Sequence, residues 1–221
     1  MNRDRGQRVF YRCARAIVLT LFKVVFRVRI SGRGYVPRRG AFVVAPSHRS
    51  LMDIFFTCYV SRRRIRFMAK QELFEKQPLA WLFGTLGGFP VARGSADRGA
   101  LRAARTALEG GEPVAVFPEG TRHSGPVIGD LFDGAAYLAA QRGVSVVPVA
   151  IAGSEEILPS GRSVPRLHRV AIVIGRPVMP AAPEDGGRVP RSEVARMTEA
   201  LHAELQARFD EASRRAGTER R

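Results

Sequence analysis

The segment Ser47-His48-Arg49-Ser50-Leu51-Met52-Asp53 sets an imidazole and a carboxylate four intervening residues apart. A histidine held by a carboxylate is the proton-handling half of a Ser-His-Asp triad, here without its serine. Where no enzyme side chain supplies the nucleophile, the substrate must bring its own hydroxyl, which points to acyl transfer onto an alcohol. The same residues also satisfy Ser-x-x-Asp, a capping box in which Ser50 and Asp53 close a helix's first turn without any catalysis. The two readings are compatible, because a first-turn carboxylate can face back toward His48.

Three further segments carry polar residues after short apolar runs. In Phe117-Pro118-Glu119-Gly120-Thr121-Arg122, Gly120 supplies backbone freedom, and Thr121 and Arg122 offer donors to an anion. Gly87-Gly88-Phe89-Pro90-Val91-Ala92-Arg93-Gly94 places Arg93 beside a glycine after a hydrophobic stretch. Val146-Val147-Pro148-Val149 is a buried-strand pattern whose internal proline predicts an edge strand or an irregular strand end. Taken singly, each is equally a strand-to-loop junction with surface arginines.

In this order the four segments resemble the glycerolipid acyltransferase family, and most closely its lysophosphatidic acid acyltransferases (1-acylglycerol-3-phosphate O-acyltransferases). That family carries His-x4-Asp, a Gly-rich block with an Arg, Phe-Pro-Glu-Gly-Thr-Arg, and a Val-Pro-Val block. The likeness runs from about residue 25 to about residue 180, and Phe117–Arg122 matches residue for residue. Ala92 stands where the family often has Asp, and Phe132-Asp133-Gly134 where it often has Phe-Lys-x-Gly.

The resemblance implies that His48 is the general base on the free hydroxyl of lysophosphatidic acid, with Asp53 orienting its ring. It places the acceptor phosphate near Arg93 and the Glu119-Gly120-Thr121-Arg122 turn. Glu119, a carboxylate beside a phosphate, is expected to orient Arg122 or the acceptor glycerol. The acyl donor is acyl-CoA or acyl carrier protein, and no metal or organic cofactor is needed. The nearer alternative is another acceptor: glycerol 3-phosphate, another lysophospholipid or a lyso-amino-lipid. The farther one is a non-catalytic basic protein binding membrane or nucleic acid.

The elements that must position these residues follow from periodicity. Ala41–Ala45 reads as a buried strand, with a helix beginning near Ser50 and His48 therefore at a strand's carboxyl end. Asp97–Glu109 and Asp133–Arg142 read as amphipathic helices stopped by Gly110-Gly111 and Gly143. Val170–Ile174 reads as a late strand, Pro177–Pro190 as a loop and Arg191–Arg214 as a polar helix. Strands alternating with helices predict an α/β fold with a mixed, largely parallel sheet flanked by helices. The expected organisation is an N-terminal basic helix over 1–30, an acyltransferase domain over 31–215 and a basic tail over 216–221.

Composition narrows the classes. A 221-residue chain with 45% apolar content has the material for one domain with an ample core. Cys13 and Cys58 give neither a disulfide framework nor metal spacing, and Cys58 reads as a small core residue. His48, His123, His168 and His202 are scattered without ligand spacing. No Gly-x-Ser-x-Gly elbow of a serine hydrolase is present. Residues 1–105 hold 22 Lys and Arg against 5 Asp and Glu, and residues 106–221 hold 14 against 15, so the formal charge of +16 comes from the first half. Such a field suits anionic lipid, phosphorylated substrates or nucleic acid, but no nucleic-acid-binding motif accompanies it.

Phe10, Cys13, Ile17, Leu21, Val24 and Val28 follow helical spacing over Val9–Val28, interrupted by Arg8, Arg12, Arg15, Lys23 and Arg27. The longest charge-free run, Ala16–Phe22, is far short of the ~20 residues that span a bilayer. A small-residue cleavage site after a clean apolar core is also missing, unlike a secretory signal. A basic helix with a wide apolar face predicts peripheral or monotopic attachment to the anionic cytoplasmic face of the cell membrane. The competing reading packs this helix on its own domain. Leu79-Ala80-Trp81-Leu82-Phe83 is a second apolar patch, for the membrane, the acyl channel or the core.

Overall fold

The computed structural model describes residues 15–75, 77–91, 98–158, 164–181 and 189–218. Seven strands, β1 (Arg29–Ser31), β2 (Val43–Pro46), β3 (Arg66–Lys70), β4 (Gly88–Val91), β5 (Val114–Ala115), β6 (Val146–Ala152) and β7 (Ala171–Ile174), form one sheet in the order β1-β7-β6-β2-β5-β3-β4. Every neighbouring pair is parallel except β6 with β7. This is the mixed, largely parallel sheet that the alternation of strands and helices predicts.

Side chains alternate across the strands with period two, so both faces of the sheet are apolar and each is covered. Val44, Val147, Val149, Ile151, Ile172 and Ile174 face a layer built from helix 15–25 (α1), α2 (Asp53–Thr57) and α3 (Gln77–Leu86). Val43, Ala45, Val114 and Val146 face α4 (Arg98–Glu109), α5 (Gly134–Arg142) and the first half of α7 (Arg191–Ala216). A short α6 (Ser154–Ile157) follows β6. The second half of α7 lies on Ala150, Ala152, Ala171 and Val173, where small side chains let a long helix approach.

Three expectations change. Pro148 lies inside the sheet, opposite Ala45 of β2, not at an edge. Its carbonyl accepts the N–H of Gly175, so its nitrogen also faces β7. There the pairing slips by one residue between Val146↔Val178 and Val149↔Ile174, and the missing donor falls at that break. The helix after His48 begins at Asp53 rather than near Ser50, because residues 48–52 form turns that carry the histidine. The boundary at residue 30 falls within β1, and α7 continues to a buried Ala216, so both ends of the expected 31–215 domain extend.

Within α1, Leu19 and Phe22 pack against the core beside buried Phe26. The helix stops as the Val28 N–H reaches the Lys23 carbonyl, with Arg27 left-handed at φ 47°. The part of the expected Val9–Val28 helix before residue 15 lies outside the described residues.

Candidate active site

His48 leaves the carboxyl end of β2 in a loop that its neighbours close from both sides. Asp53, fully buried at the start of α2, accepts the N–H groups of Arg49 at 2.6 Å and Ser50 at 2.7 Å on Oδ2. The same oxygen lies 3.3 Å from Nδ1 of His48. Asp53 is thus a helix-start clamp and the partner of the imidazole at once, as the two sequence readings allow. The bond to the ring is the longest of the three, a length that catalytic contacts often have before substrate binds. With Asp53 as the acceptor, Nδ1 carries the proton and Nε2 is left as the basic nitrogen. The ring stacks on Phe117, with centroids 4.2 Å apart and planes tilted by 35°.

The second loop follows β5, the neighbour of β2. Glu119 points inward and is almost fully buried. Its Oε1 accepts the backbone N–H of His48 at 2.7 Å, and its Oε2 accepts that of Gly129 at 3.1 Å. Across the same junction the His123 N–H donates to the His48 carbonyl at 2.9 Å. Glu119 therefore holds the backbone of His48 instead of reaching Arg122, because two partly buried N–H groups there take it as their acceptor. Gly120, Thr121 and Arg122 turn outward beside it and are exposed. Gly120 sits at φ 67°, and an added Cβ would come within 2.8 Å of the Phe132 ring. Thr121 Oγ1 lies 3.2 Å from Nε2 of His123. The Arg122 guanidinium makes no hydrogen bond or ion pair among the described residues, which leaves its fork open to an anion. Arg93 lies outside the described residues, but the strand leading to it, β4, does not. That strand starts after Gly87, whose φ of 110° brings it so near the Ile65 carbonyl that a Cβ would approach within 2.2 Å.

Arg49, inside the His-x4-Asp segment, was assigned no role from sequence. Its guanidinium is buried, donates to the Val127 carbonyl at 2.8 Å, lies 3.9 Å from Glu119 Oε2 and stacks 4.4 Å over the Phe209 ring of α7. This side chain ties the His48 loop to α7. An arginine next to the candidate base was the available signal; its partners are too distant in sequence to read. Cys58, at the far end of α2, is buried and its Sγ donates to the Ile54 carbonyl. Burial pushes its thiol up to about 11, as a core residue and not a nucleophile. No group of three or more potential metal ligands gathers among the described residues.

The chain is similar to known proteins over most of its length. A family model described as Acyltransferase matches residues 27–152. A 1-acyl-sn-glycerol-3-phosphate acyltransferase of Bacillus subtilis is 29% identical over 204 residues, 90% of this chain and 98% of that protein. One from Chlamydomonas reinhardtii is 32% identical over 161 residues, 70% of this chain and 48% of its own length. The crystal structure of the 1-acyl-sn-glycerophosphate acyltransferase of Thermotoga maritima superposes with a TM-score of 0.68 at 28% identity, over 88% of this chain and 80% of that one.

Proposed function

The chain belongs to the Acyltransferase family, and from that premise we propose that it is a 1-acylglycerol-3-phosphate O-acyltransferase, esterifying the free hydroxyl of lysophosphatidic acid to give phosphatidic acid for phospholipid biosynthesis. The observation that carries this reading is Nδ1 of His48 within 3.3 Å of Asp53 Oδ2, with the loop pinned at both backbone groups of His48. Nε2 of His48 takes the hydroxyl proton of the acceptor as its oxygen bonds to the thioester carbonyl carbon. The tetrahedral adduct collapses with cleavage of the C–S bond, and the leaving thiolate recovers the proton from the imidazolium. Asp53 stabilises that imidazolium, as in a triad. General-base help supplies roughly 10²–10⁴-fold. The remainder falls to positioning, for which the rigid loop is built.

The donor is a thioester, acyl-CoA or acyl carrier protein. The acceptor phosphate meets the open fork of Arg122 with Gly120 and Thr121 beside it, and Arg93, two residues after β4 in sequence. Glu119 serves this site by holding His48. The reaction as drawn involves no cofactor and no nucleic acid.

The protein works on the anionic cytoplasmic face of the membrane, as a peripheral or monotopic enzyme. Support comes from α1: Ile17, Leu21 and Val24 are 69%, 58% and 71% exposed, on the side opposite the docked Leu19 and Phe22. Both readings of this helix are therefore combined, one apolar face on the domain and one toward lipid. Among the described residues no helix is long and apolar enough to cross a membrane. Trp81 on α3 is half exposed, whereas Phe83 is core. The test is release of free thiol from an acyl-CoA, requiring both lysophosphatidic acid and His48. Release that persists in His48→Ala would exclude this mechanism.

A further inference from the structure

A cavity of about 680 Å³ opens beside α1 and is ringed by five arginines, Arg15, Arg33, Arg38, Arg62 and Arg63, with the apolar Leu19 at its wall. No carboxylate lines it among the described residues. The arginines divide by their partners. Arg15 Nη2 donates to the carbonyls of Cys58 at 2.7 Å and Ser61 at 3.0 Å, and Arg33 reaches the Tyr59 carbonyl at 3.4 Å. Arg63 bridges the carbonyls of Gly40 and Gly111. These three brace the rim. Arg38 and Arg62 are exposed and have no hydrogen bond or ion pair among the described residues.

Guanidinium groups gathered without a counter-charge repel one another, and an anion between them removes the repulsion. The site is not the catalytic one. Arg38 precedes β2, and Arg62 and Arg63 precede β3, whereas His48 and Glu119 follow β2 and β5. These three strands are parallel, so the cavity and the catalytic loop lie at opposite ends of the sheet. Between the two ends runs α1, from Arg15 at the cavity to the turn that starts β1. The cavity thus opens along the flank of the helix whose outer face carries Ile17, Leu21 and Val24, at the level where headgroups lie if that face enters the bilayer.

We propose that this cavity is a second, non-catalytic site that seats the phosphate of an anionic glycerophospholipid headgroup between Arg38 and Arg62, with Arg15 and Arg33 behind them. It rests on the membrane reading of α1. Arginine forks match phosphate oxygens two at a time, and the braced rim holds the stems in place. A headgroup held here fixes the rotation of the protein on the surface, which α1 alone does not. It also uses part of the basic excess of the first half of the chain that the reaction leaves unexplained.

The test is co-sedimentation of the full chain with phosphatidylcholine vesicles, with and without a minority of phosphatidylglycerol. Arg38→Ala/Arg62→Ala removes two side chains that brace nothing. It is expected to bind the anionic vesicles about thirtyfold more weakly, at the usual worth of two arginines near an anionic surface. Binding to neutral vesicles and turnover of a water-soluble short-chain acceptor stay at the wild-type level. Arg39→Ala/Arg102→Ala removes the same charge outside the cavity and is expected to weaken binding only a few-fold. Equal weakening by both pairs, or none by either, overturns the site. Release of the wild type by inorganic phosphate at constant ionic strength overturns the lipid assignment in favour of free phosphate. If the wild type binds no vesicles, the membrane reading of α1 fails and takes the site with it. Wild-type binding beside an unaffected Arg38→Ala/Arg62→Ala variant defeats the site alone.

Discussion

Glu119 accepts the backbone N–H of His48 at 2.7 Å, across 71 residues of sequence. The two loops that follow β2 and β5 are thereby one unit, and the position of the imidazole depends on a carboxylate that never touches it. The His123 N–H on the His48 carbonyl closes the unit from the other side. Buried Arg49 joins it to Phe209 of α7. A histidine fixed through its backbone keeps only its ring torsions free, which is what proton transfer at a defined distance needs.

Replacing Glu119 therefore acts on turnover, not on acceptor affinity. Glu119→Ala orphans two partly buried N–H groups, each costing up to about 1–3 kcal/mol, and strips Arg49 of its counter-charge. The expected result is a fall in both melting temperature and kcat. Glu119→Gln, which can still accept the His48 N–H, recovers part of both. KM for lysophosphatidic acid stays within about twofold of wild type because ground-state binding is untouched. A rise in KM at constant kcat would place Glu119 against the acceptor instead.

His48→Ala and Asp53→Asn separate the base from its clamp. His48→Ala is expected to lose at least the roughly 10²–10⁴-fold worth of general-base catalysis while the protein melts only slightly lower, since the partly exposed ring contributes one long bond to Asp53 and its stack on Phe117. Asp53→Asn loses activity too and also melts lower, because Oδ2 holds the N–H groups of Arg49 and Ser50. Thiol-release rates beside thermal unfolding check both. Equal melting temperatures for the two variants would contradict the clamp.

The strand-to-His48 junction was legible because a short apolar run ends in a polar turn, and α7 because its apolar positions keep helical spacing over many turns. The inward direction of Glu119 was not, since its partners are N–H groups of His48 and Gly129 on other segments. Chemical sense about a phosphate site pointed the other way. Pro148 misled for a related reason: a missing donor forbids an internal strand only where the ladder needs it, and here the register breaks at that point. The two apolar faces of α1 were visible as one broad stripe, but which face meets the domain required Leu19 and Phe22 in place.

Arg122→Lys keeps the charge and removes the fork. The guanidinium has no internal partner among the described residues, so stability should not move. KM for lysophosphatidic acid should rise about tenfold, and an acceptor lacking the phosphate should not discriminate between the two proteins. Steady-state kinetics with both acceptors decide this. An unchanged KM moves the phosphate away from this turn.

Cys58 sets a pH dependence of opposite sign to that of a carboxylate. Its folded-state thiol is raised from 9.0 to about 11, chiefly by burial, so the folded protein holds the proton more tightly than the unfolded chain. The stability it contributes is full below about pH 9 and is lost between pH 9 and 11. In a Cys13→Ser background, a thiol reagent at pH 8 should label nothing until denaturant is added. Rapid labelling of the native protein would show that Cys58 is reachable. It would also make a thiol-release assay unsafe without correction.

The outer face of α1 gives the last prediction. Ile17, Leu21 and Val24 are exposed, whereas Leu19, Phe22 and Phe26 pack inward beside Phe55 and Phe56. Ile17→Ser/Leu21→Ser/Val24→Ser therefore removes apolar surface that nothing in the fold uses, and the melting temperature should hold. Each fully buried aliphatic side chain is worth about 1.5–3 kcal/mol, so partial burial of three in the interface predicts a loss of vesicle affinity of about a hundredfold. This loss should appear on neutral and anionic vesicles alike, because it is apolar in origin. Phe22→Ala supplies the contrast: it destabilises the domain by about 3 kcal/mol or somewhat less, since Phe22 is only partly buried, and changes vesicle binding only through unfolding. Should the triple variant sediment with vesicles like the wild type, α1 is a packed layer of the domain and nothing more, and the contact with lipid must come from the half-exposed Trp81 on α3.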